Sequence, residues 1–290
     1  MGFEPMRNGC STGSQGWNPI NWRNIRADYI VYLQAQRYSE DYKGGLLRYL
    51  DKYFNEISSP ADIIGIFANI RKGGRHLWLG FRTIFNFLEA NGYDANILAI
   101  YRKALPTFQC GIDLKVPEEP EIICSLKKLR DARPELAALY NLLLDSGLRL
   151  IEGVSALQKI DSVEKINDFY RIPLAEFRGC KSAFYCYLTK ETYQQILANP
   201  KLTLTRRQCT DYFRGRSSII KVTAPKYIRK FFFDKALELG IPESVCDFYE
   251  GRLPRTVGAR HYCNLRRQAD RFYQRKYLRY LKKIRAKVDA

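Results

Sequence analysis

The residues of this chain that suit bond-breaking chemistry are a few cations and one tyrosine near its carboxyl end. Lys226 and Arg229 are three positions apart, so both project from one face of a helix. Arg252 follows in a short loop, and Tyr262 lies beyond it in an arginine-rich setting. Cations bind phosphate oxygens and favour the ionised form of a nearby phenol, whose pKa is ordinarily about 10. The set indicates covalent attack of a tyrosine on a phosphodiester.

A further arginine lies well upstream, in the segment SGLRLIEGVSAL at Ser146–Leu157. There Arg149 precedes Glu152 by three positions, a spacing that alone indicates a surface salt bridge. Together with the cations and the tyrosine described above, the segment resembles the Gly-Leu-Arg-x-x-Glu box of tyrosine recombinases. These are DNA strand-exchange enzymes of the phage-integrase type.

Two details narrow the resemblance. Lys226 stands where most members of that family carry histidine, and Gly251–Tyr262 reads GRLPRTVGARHY. Both look most like integrases of archaeal spindle-shaped viruses (fuselloviruses) and of related archaeal plasmids. The resemblance implies an enzyme that cleaves and rejoins double-stranded DNA at att-like sites through a 3′-phosphotyrosyl intermediate, integrating or excising a viral or plasmid genome. It also implies a homotetramer on DNA and no metal or other cofactor.

The resemblance implies six catalytic residues: Arg149, Lys181, Lys226, Arg229, Arg252 and Tyr262. The two arginines Arg149 and Arg229 would hold the nonbridging phosphate oxygens and stabilise the transition state. Lys181 would give a proton to the leaving 5′-oxygen. The other two cations stand at positions where the family often has histidine or tryptophan, so the general base stays open.

Both the nucleophile, Tyr262, and the general acid, Lys181, have alternatives. Tyr273 and Tyr277 are the nearest rival tyrosines but lie further from the cation boxes. His261 would either orient the phenol of Tyr262 or lie at the surface. Residues 170–189 alternate and are rich in Tyr and Phe, which predicts two strands around a turn at 178–181. The family carries its lysine on such a sheet, although an ordinary turn lysine remains the alternative for Lys181.

The elements that must position these residues are mainly helices. Thr223 is a predicted N-cap, Pro225 fits the first helical turn, and Gly240 marks the end of the helix that carries Arg229. The basic segment 252–287 predicts further helices. Two placements stay open for the last one, which would dock on a neighbouring protomer or lie along DNA.

The amino-terminal part predicts a small helical bundle. Helical spacing of apolar residues runs from about Trp22 to Leu105, with start signals at Ser39, Ser59 and Asp94. The bundle resembles the SAM-like core-binding domain with which recombinases clamp one face of DNA. The predicted fold is therefore mainly α, with an α+β catalytic domain that holds a small antiparallel sheet. The predicted boundaries are a flexible tail 1–22, a clamp domain 23–105, a linker 106–120 and a catalytic domain 121–290.

Basic residues outside the catalytic set are candidates for phosphate contacts. One group surrounds a Gly-Gly break in the bundle: Arg71, Lys72, Arg75, His76 and Arg82. A weaker group precedes the Arg229 helix: Arg206, Arg207, Arg214 and Arg216. A merely solvated basic surface is the alternative for both.

Composition agrees with a polyanionic partner. The 290 residues carry a formal net charge of +18, which favours binding to a polyanion. Hydrophobic residues make up 46% of the chain, enough to form buried hydrophobic cores. No apolar run spans a bilayer and no signal peptide is evident, so we expect a cytoplasmic, DNA-associated protein without membrane partners. The eight cysteines are scattered, which argues against zinc; Cys180–Cys186 is at most a speculative disulfide.

Three other functions fit parts of these observations. A topoisomerase-like enzyme would nick and rejoin DNA without pairing two sites. An architectural DNA-binding protein would use the basic surface with a decayed active site, against which the intact Arg149, Arg229 and Tyr262 argue. An RNA-binding bundle is the weakest, because no aromatic sheet motif of the usual kind is present.

Overall fold

The computed structural model describes residues 19–108, 111–178, 181–199, 205–213, 221–253, 256, 258 and 264–290. The chain divides into two compact units, Met1–Ile112 and Asp113–Ala290. The division lies inside 106–120, the segment for which the sequence predicts a linker. The fold is mainly helical with small antiparallel sheets, as predicted. Among the helices of the described ranges, none is long and apolar enough to cross a membrane.

The first unit is a bundle of short helices closed by a two-residue strand pair. Its elements are β1 (Ile20–Asn21), α1 (Trp22–Ala35), α2 (Glu40–Tyr53), β2 (Glu56–Ile57), α3 (Pro60–Ala68), α4 (Gly74–Ala90) and α5 (Ala95–Ala104). The predicted start signals are correct: Ser39 caps α2, Ser59 and Asp62 form a capping box on α3, and Asp94 caps α5.

The predicted tail extends less far than expected. Its last residues form β1 and the first position of α1 instead, while residues 1–18 lie outside the described ranges. Trp22 is buried, and its indole Nε1 donates to Asp51 Oδ1 at 2.9 Å. It packs against Tyr29 and Phe54, so a residue that the sequence places in the flexible tail belongs to the core of the bundle.

The second unit wraps helices around a three-stranded antiparallel sheet of order β3-β4-β5. Its elements are α6 (Glu119–Ala132), α7 (Pro134–Ser146), α8 (Leu150–Gln158), β3 (Glu164–Ile166), β4 (Phe169–Arg178), β5 (Lys181–Thr189), α9 (Lys190–Leu197), α10 (Arg206–Phe213), α11 (Pro225–Glu238), α12 (Glu243–Tyr249), α13 (Leu265–Phe272), a π-helical turn (Tyr273–Tyr277) and α14 (Leu278–Asp289). Almost every residue of α7 is buried, which makes it the central helix. The predicted hairpin is present, with Arg178 paired to Lys181.

The start of α11 differs from the prediction. Ala224, not Thr223, is its N-cap, and Pro225 takes the first helical position. The backbone N–H of Thr223 donates to Ser125 Oγ at 2.9 Å, and that hydroxyl donates to Thr223 Oγ1 at 3.2 Å. Because the Thr223 hydroxyl is engaged with α6, it does not cap α11. The predicted N-cap is wrong by one residue, and the helix that carries Arg229 starts as expected otherwise.

The last helix packs on its own unit, an arrangement that neither sequence-based alternative included. The apolar face of α14 is buried, with Leu281 and Ile284 fully inaccessible. Between them and the end of the helix, Arg285 reaches Asp145 of α7, with which it forms a short ion pair. Asp145 also accepts from the Thr189 N–H at 2.9 Å, and burial raises its pKa. This network fastens α14 to the sheet and to the central helix.

The cysteine predictions divide between described and other residues. Cys186 is a buried free thiol in β5, so it forms no disulfide. Its speculative partner Cys180 lies outside the described ranges. Within those ranges, no group of three or more His, Cys, Asp or Glu side chains is arranged to hold a metal ion.

Candidate active site

Three arginines from three separate elements converge on the loop after α12. Arg149 is the N-cap of α8, Arg229 lies in the second turn of α11, and Arg252 follows the end of α12. The backbone carbonyl of Glu250 accepts from Arg229 Nη1 at 2.7 Å and from Arg149 Nη1 at 3.4 Å. We call Arg149, Arg229 and Arg252 the arginine cluster. The fold brings together three of the six predicted catalytic residues.

Two fully buried carboxylates hold the arginine cluster in place. Glu152 Oε1 accepts from Arg149 Nη1 at 2.7 Å, and its Oε2 accepts from the Arg149 backbone N–H at 3.0 Å. Glu250 Oε2 lies 3.1 Å from Arg229 Nη2 and 2.8 Å from Arg252 Nη2. Each guanidinium is therefore paired with an acid, as buried charges require.

Burial and mutual charge perturb this site strongly. Burial raises the pKa of Glu250 to about 7, although the three arginines oppose the rise. Burial also lowers the pKa of Arg229 to about 10, against the attraction of Glu250. Arg229 is thus still a cation at neutral pH, with 11% of its side chain exposed, whereas Arg149 and Arg252 are 25% and 43% exposed. Perturbed groups of this kind are typical of functional sites.

Gly251 joins the arginine cluster to the sheet. Its carbonyl accepts from the Ser182 N–H at 3.1 Å and from Arg149 Nη1 at 3.3 Å. Its φ of +64° and the 2.6 Å that would separate an added Cβ from the Ser182 carbonyl oxygen both require glycine. Ser182 is the residue after Lys181, so the start of β5 is fixed directly beside the arginine cluster.

Lys226 is not part of the arginine cluster in this structure. Its ammonium group forms a short ion pair with Asp113, and Lys230 lies 3.2 Å from the same carboxylate. Hydrogen bonds from these two lysines lower the pKa of Asp113 to about 2. Lys226 is 63% exposed. The expected shared face of Lys226 and Arg229 is therefore only approximate, since one side chain points to solvent and the other into the core.

The predicted nucleophile, Tyr262, lies outside the described ranges, as does His261, and for Lys181 the structure describes the backbone alone. The two rival tyrosines are described. Tyr273 and Tyr277 are fully buried, and Tyr277 Oη donates to the Leu144 carbonyl at 3.1 Å. Burial raises the pKa of both phenols well above the usual value. Neither can meet a DNA strand in this fold.

The candidate phosphate contacts of the first unit lie at its surface. All five are exposed: Arg71, Lys72, Arg75, His76 and Arg82. The His76 ring stacks on Tyr49 at a centroid distance of 5.2 Å, and the Arg82 guanidinium lies 4.7 Å from the centroid of the Trp78 ring. Gly73 is the N-cap of α4, where its φ is +86° and an added Cβ would lie 1.9 Å from Tyr49. We call Arg71, Lys72, Arg75 and His76 the basic loop.

The weaker candidates of the second unit are only partly described. Arg206 begins α10, and Arg207 in its first turn is 93% exposed and lies 4.0 Å from Asp211. Arg214 and Arg216 lie outside the described ranges. The contacts of these four arginines with DNA remain predictions.

Sequence reasoning missed two acids that organise the site, Glu250 and Asp113. A glutamate beside Gly251 and Arg252 reads as a solvated charge, and only the tertiary fold shows that it is buried. Asp113 stands in the predicted linker, where an acid carries no signal. The position of Glu250 directly before the Gly-Arg pair was the one available clue.

Comparisons with known proteins identify a family and similar folds. The family described as archaeal phage integrase matches residues 114–279. No curated protein sequence matches the chain. Among solved structures, a lambda integrase tetramer bound to a Holliday junction is similar, with 12% identity, a TM-score of 0.56, and coverage of 87% of this chain and 79% of that one. XerA recombinase is similar over 87% of this chain and 92% of that one, with 15% identity and a TM-score of 0.35.

Proposed function

Because the chain belongs to the archaeal phage integrase family, which is one of tyrosine recombinases, we propose that it cleaves and rejoins DNA at specific sites to integrate or excise a viral or plasmid genome. The observation that carries the proposal is the convergence of Arg149, Arg229 and Arg252 from three elements onto one loop. A polyanion is the ligand that three adjacent guanidinium groups suit best.

The proposed reaction proceeds through a covalent intermediate. The Tyr262 phenolate oxygen attacks phosphorus, the bond from phosphorus to the 5′-oxygen breaks, and a proton from Lys181 neutralises that oxygen. The product is a 3′-phosphotyrosyl bond and a free 5′-hydroxyl. Rejoining reverses the same steps with a different 5′-hydroxyl, so the phosphodiester energy is conserved and no metal is required.

The arginine cluster would supply the electrostatic part of the catalysis. Charge accumulates on the nonbridging oxygens as phosphorus becomes pentacovalent, and guanidinium donors fixed in advance stabilise that charge without reorganisation. The acids Glu152 and Glu250 fix the donors, since each accepts or approaches a guanidinium within 3.1 Å. Lys226 would join by exchanging Asp113 for a phosphate oxygen.

The basic loop would hold the DNA backbone without reading its sequence. Its four side chains are exposed, two just before α4 and two in the first turn of α4, which suits phosphate contacts and counterion release. We further propose that the protein acts as a tetramer on paired att-like sites inside the host cell. The lambda integrase structure, a tetramer on a Holliday junction, supports this assembly by analogy of fold.

The test uses nicked duplexes, built on the sequence that wild-type protein selects from a random pool. Wild type, Tyr262→Phe and a control, Tyr193→Phe, are incubated with the duplex in the presence of a chelator. Tyr193 is partly buried and stacks on Tyr170 at 4.4 Å, so its variant loses a hydroxyl elsewhere in the same unit. We expect a denaturant-stable protein–DNA adduct with wild type and Tyr193→Phe only.

Each alternative function gives a different outcome. An adduct that persists in Tyr262→Phe would move the nucleophile elsewhere. An adduct with relaxation of supercoiled plasmid but no joining of two sites would favour the topoisomerase-like enzyme. Tight binding without any adduct would favour the architectural protein and contradict the proposal.

A further inference from the structure

Glu250 is a buried acid of this unit that takes no direct step in the proposed chemistry. Its side chain is fully inaccessible, yet it lies between two guanidinium groups that the proposal assigns to phosphate. Neither of its carboxylate oxygens makes a hydrogen bond with another described group. The same is true of Arg229 Nη2, which lies 3.1 Å from Glu250 Oε2. The contacts are therefore ion pairs alone, and each partner has unused hydrogen-bonding capacity.

This geometry gives the cluster two competing anions. With no DNA bound, the Glu250 carboxylate balances the charge of Arg229 and Arg252. A phosphodiester that binds the same arginines brings a second negative charge next to a buried one. Two negative charges close together in a site of low polarity repel each other strongly. The carboxylate can relieve this repulsion by taking up a proton, whereas the phosphodiester stays ionised.

We propose that Glu250 is the resident counter-ion of the arginine cluster and that it takes up one proton when a DNA phosphate binds there. The inference rests on the proposed function, because it requires a phosphodiester at the cluster. The proton comes from solvent and forms an O–H bond on the carboxyl group, and no other bond changes. As a neutral acid, Glu250 leaves the full charge of the arginines to the phosphate and still fills their space.

The charged and titratable neighbours of Glu250 determine whether this exchange is feasible. Around it are Arg229 of α11, Arg149 and Glu152 of α8, Asp247 and the Cys246 thiol of α12, and Arg252 of the following loop. The arginines favour the carboxylate and Asp247 opposes it, while burial opposes it most. The balance leaves the pKa of Glu250 at about 7, so a nearby phosphate acts on a carboxyl group that can take up a proton near neutral pH.

The experiment measures DNA binding, not cleavage, as a function of pH. All proteins carry Tyr262→Phe so that no adduct forms, and the probe is the duplex selected by wild-type protein. The variants are Glu250→Gln, which mimics the protonated acid, and Glu250→Asp, which keeps a titrating group. The control is Glu238→Gln, an equal charge change at an exposed residue of α11.

The expected result follows from linkage. If one proton is taken up, affinity of the parent falls by about tenfold per pH unit above pH 7 and little below pH 6. Glu250→Gln should bind about tenfold tighter than the parent at pH 8 and equally at pH 6. Glu250→Asp should retain a pH dependence, and Glu238→Gln should follow the parent. Titration calorimetry in two buffers of different ionisation enthalpy should show close to one proton absorbed by the parent at pH 8 and none by Glu250→Gln.

The outcome separates this inference from the proposed function. Equal proton uptake in the parent and in Glu250→Gln, with both proteins folded by thermal melting, would overturn the role of Glu250 while adduct formation still stood. Absence of any adduct with a normal Glu250-dependent proton uptake would instead refute the recombinase chemistry and keep the anion site.

Discussion

The arginine cluster and the basic loop are both cationic, but the protein holds them in opposite ways. In the cluster, Arg229 is almost buried and contacts the Gly147 carbonyl at 3.1 Å as well as Glu250. In the basic loop, Arg71 and Lys72 are exposed to solvent. Fixed, desolvated charges act strongly at one position, whereas exposed charges act weakly and additively over a surface. The difference supports the proposal that the arginine cluster carries out the chemistry and that the basic loop retains DNA.

The sharpest test of this contrast is a change of donor geometry at Arg229. Arg229→Lys keeps the charge but removes the forked donor that contacts the Glu250 carbonyl at 2.7 Å. We expect adduct formation to slow by about 100- to 1,000-fold, with DNA affinity nearly unchanged. Single-turnover cleavage of the nicked duplex gives the rate. The control is Arg207→Lys at an exposed arginine, and an equal loss there would remove the distinction between the two regions.

The second test asks whether protonation of Glu250 in the arginine cluster changes the free energy of unfolding. The pKa of Glu250 is about 7 in the folded state against an ordinary 4.5, so the folded protein binds the proton more tightly. The free energy of unfolding should therefore fall as pH rises between about 4.5 and 7, by about 3 kcal/mol in total. Glu250→Gln should lack this fall, and Glu238→Gln should retain it. Urea unfolding at three pH values provides the measurement; parallel profiles for wild type and Glu250→Gln would contradict it.

The third test concerns the turn that shapes the basic loop. Gly73→Ala places a methyl group 1.9 Å from Tyr49 at a positive φ, and should destabilise the first unit by about 1–3 kcal/mol. Gly92→Ala is the matched control, because its φ is +81° but nothing lies within 4 Å of the added carbon. Thermal unfolding should show the larger loss for Gly73→Ala, with weaker DNA binding. Equal losses would mean that the Tyr49 contact has no part in it.

The smallest effects should come from single charges of the basic loop. Arg71→Gln, Lys72→Gln and Arg75→Gln should each reduce the slope of log affinity against log salt by about 1, on any DNA sequence. Cleavage by the bound protein should be unchanged. The control Lys103→Gln removes an exposed charge elsewhere in the first unit. If it lowers the slope as much, the basic surface acts as a whole and the loop has no special role.

The sequence predicts local structure well where the signal is local. Ser59 and Asp94 cap their helices as expected, and the hairpin turn falls between Arg178 and Lys181. The N-cap at Thr223 fails because a hydroxyl of α6, distant in sequence, engages that residue first. The Thr223 hydroxyl can either cap α11 or bind Ser125, and the local sequence does not show which partner it takes.

The site follows the same rule. The order of Arg149, Arg229 and Arg252 indicates their shared role, and the fold brings them together. The burial of Glu250 and the capture of Lys226 by Asp113 depend on packing between distant segments, so no spacing in the chain announces them. Helical periodicity places Lys226 near Arg229 but does not fix which way a long, exposed side chain turns.

Gly251 couples two parts of the second unit that are far apart in sequence. The Gly251 carbonyl oxygen accepts from the backbone of β5 and from Arg149, so the hairpin and the arginine cluster share one hydrogen-bond acceptor. A displacement of the start of β5 would therefore also move an acceptor of the Arg149 guanidinium, so the hairpin and the arginine cluster depend on the same backbone position.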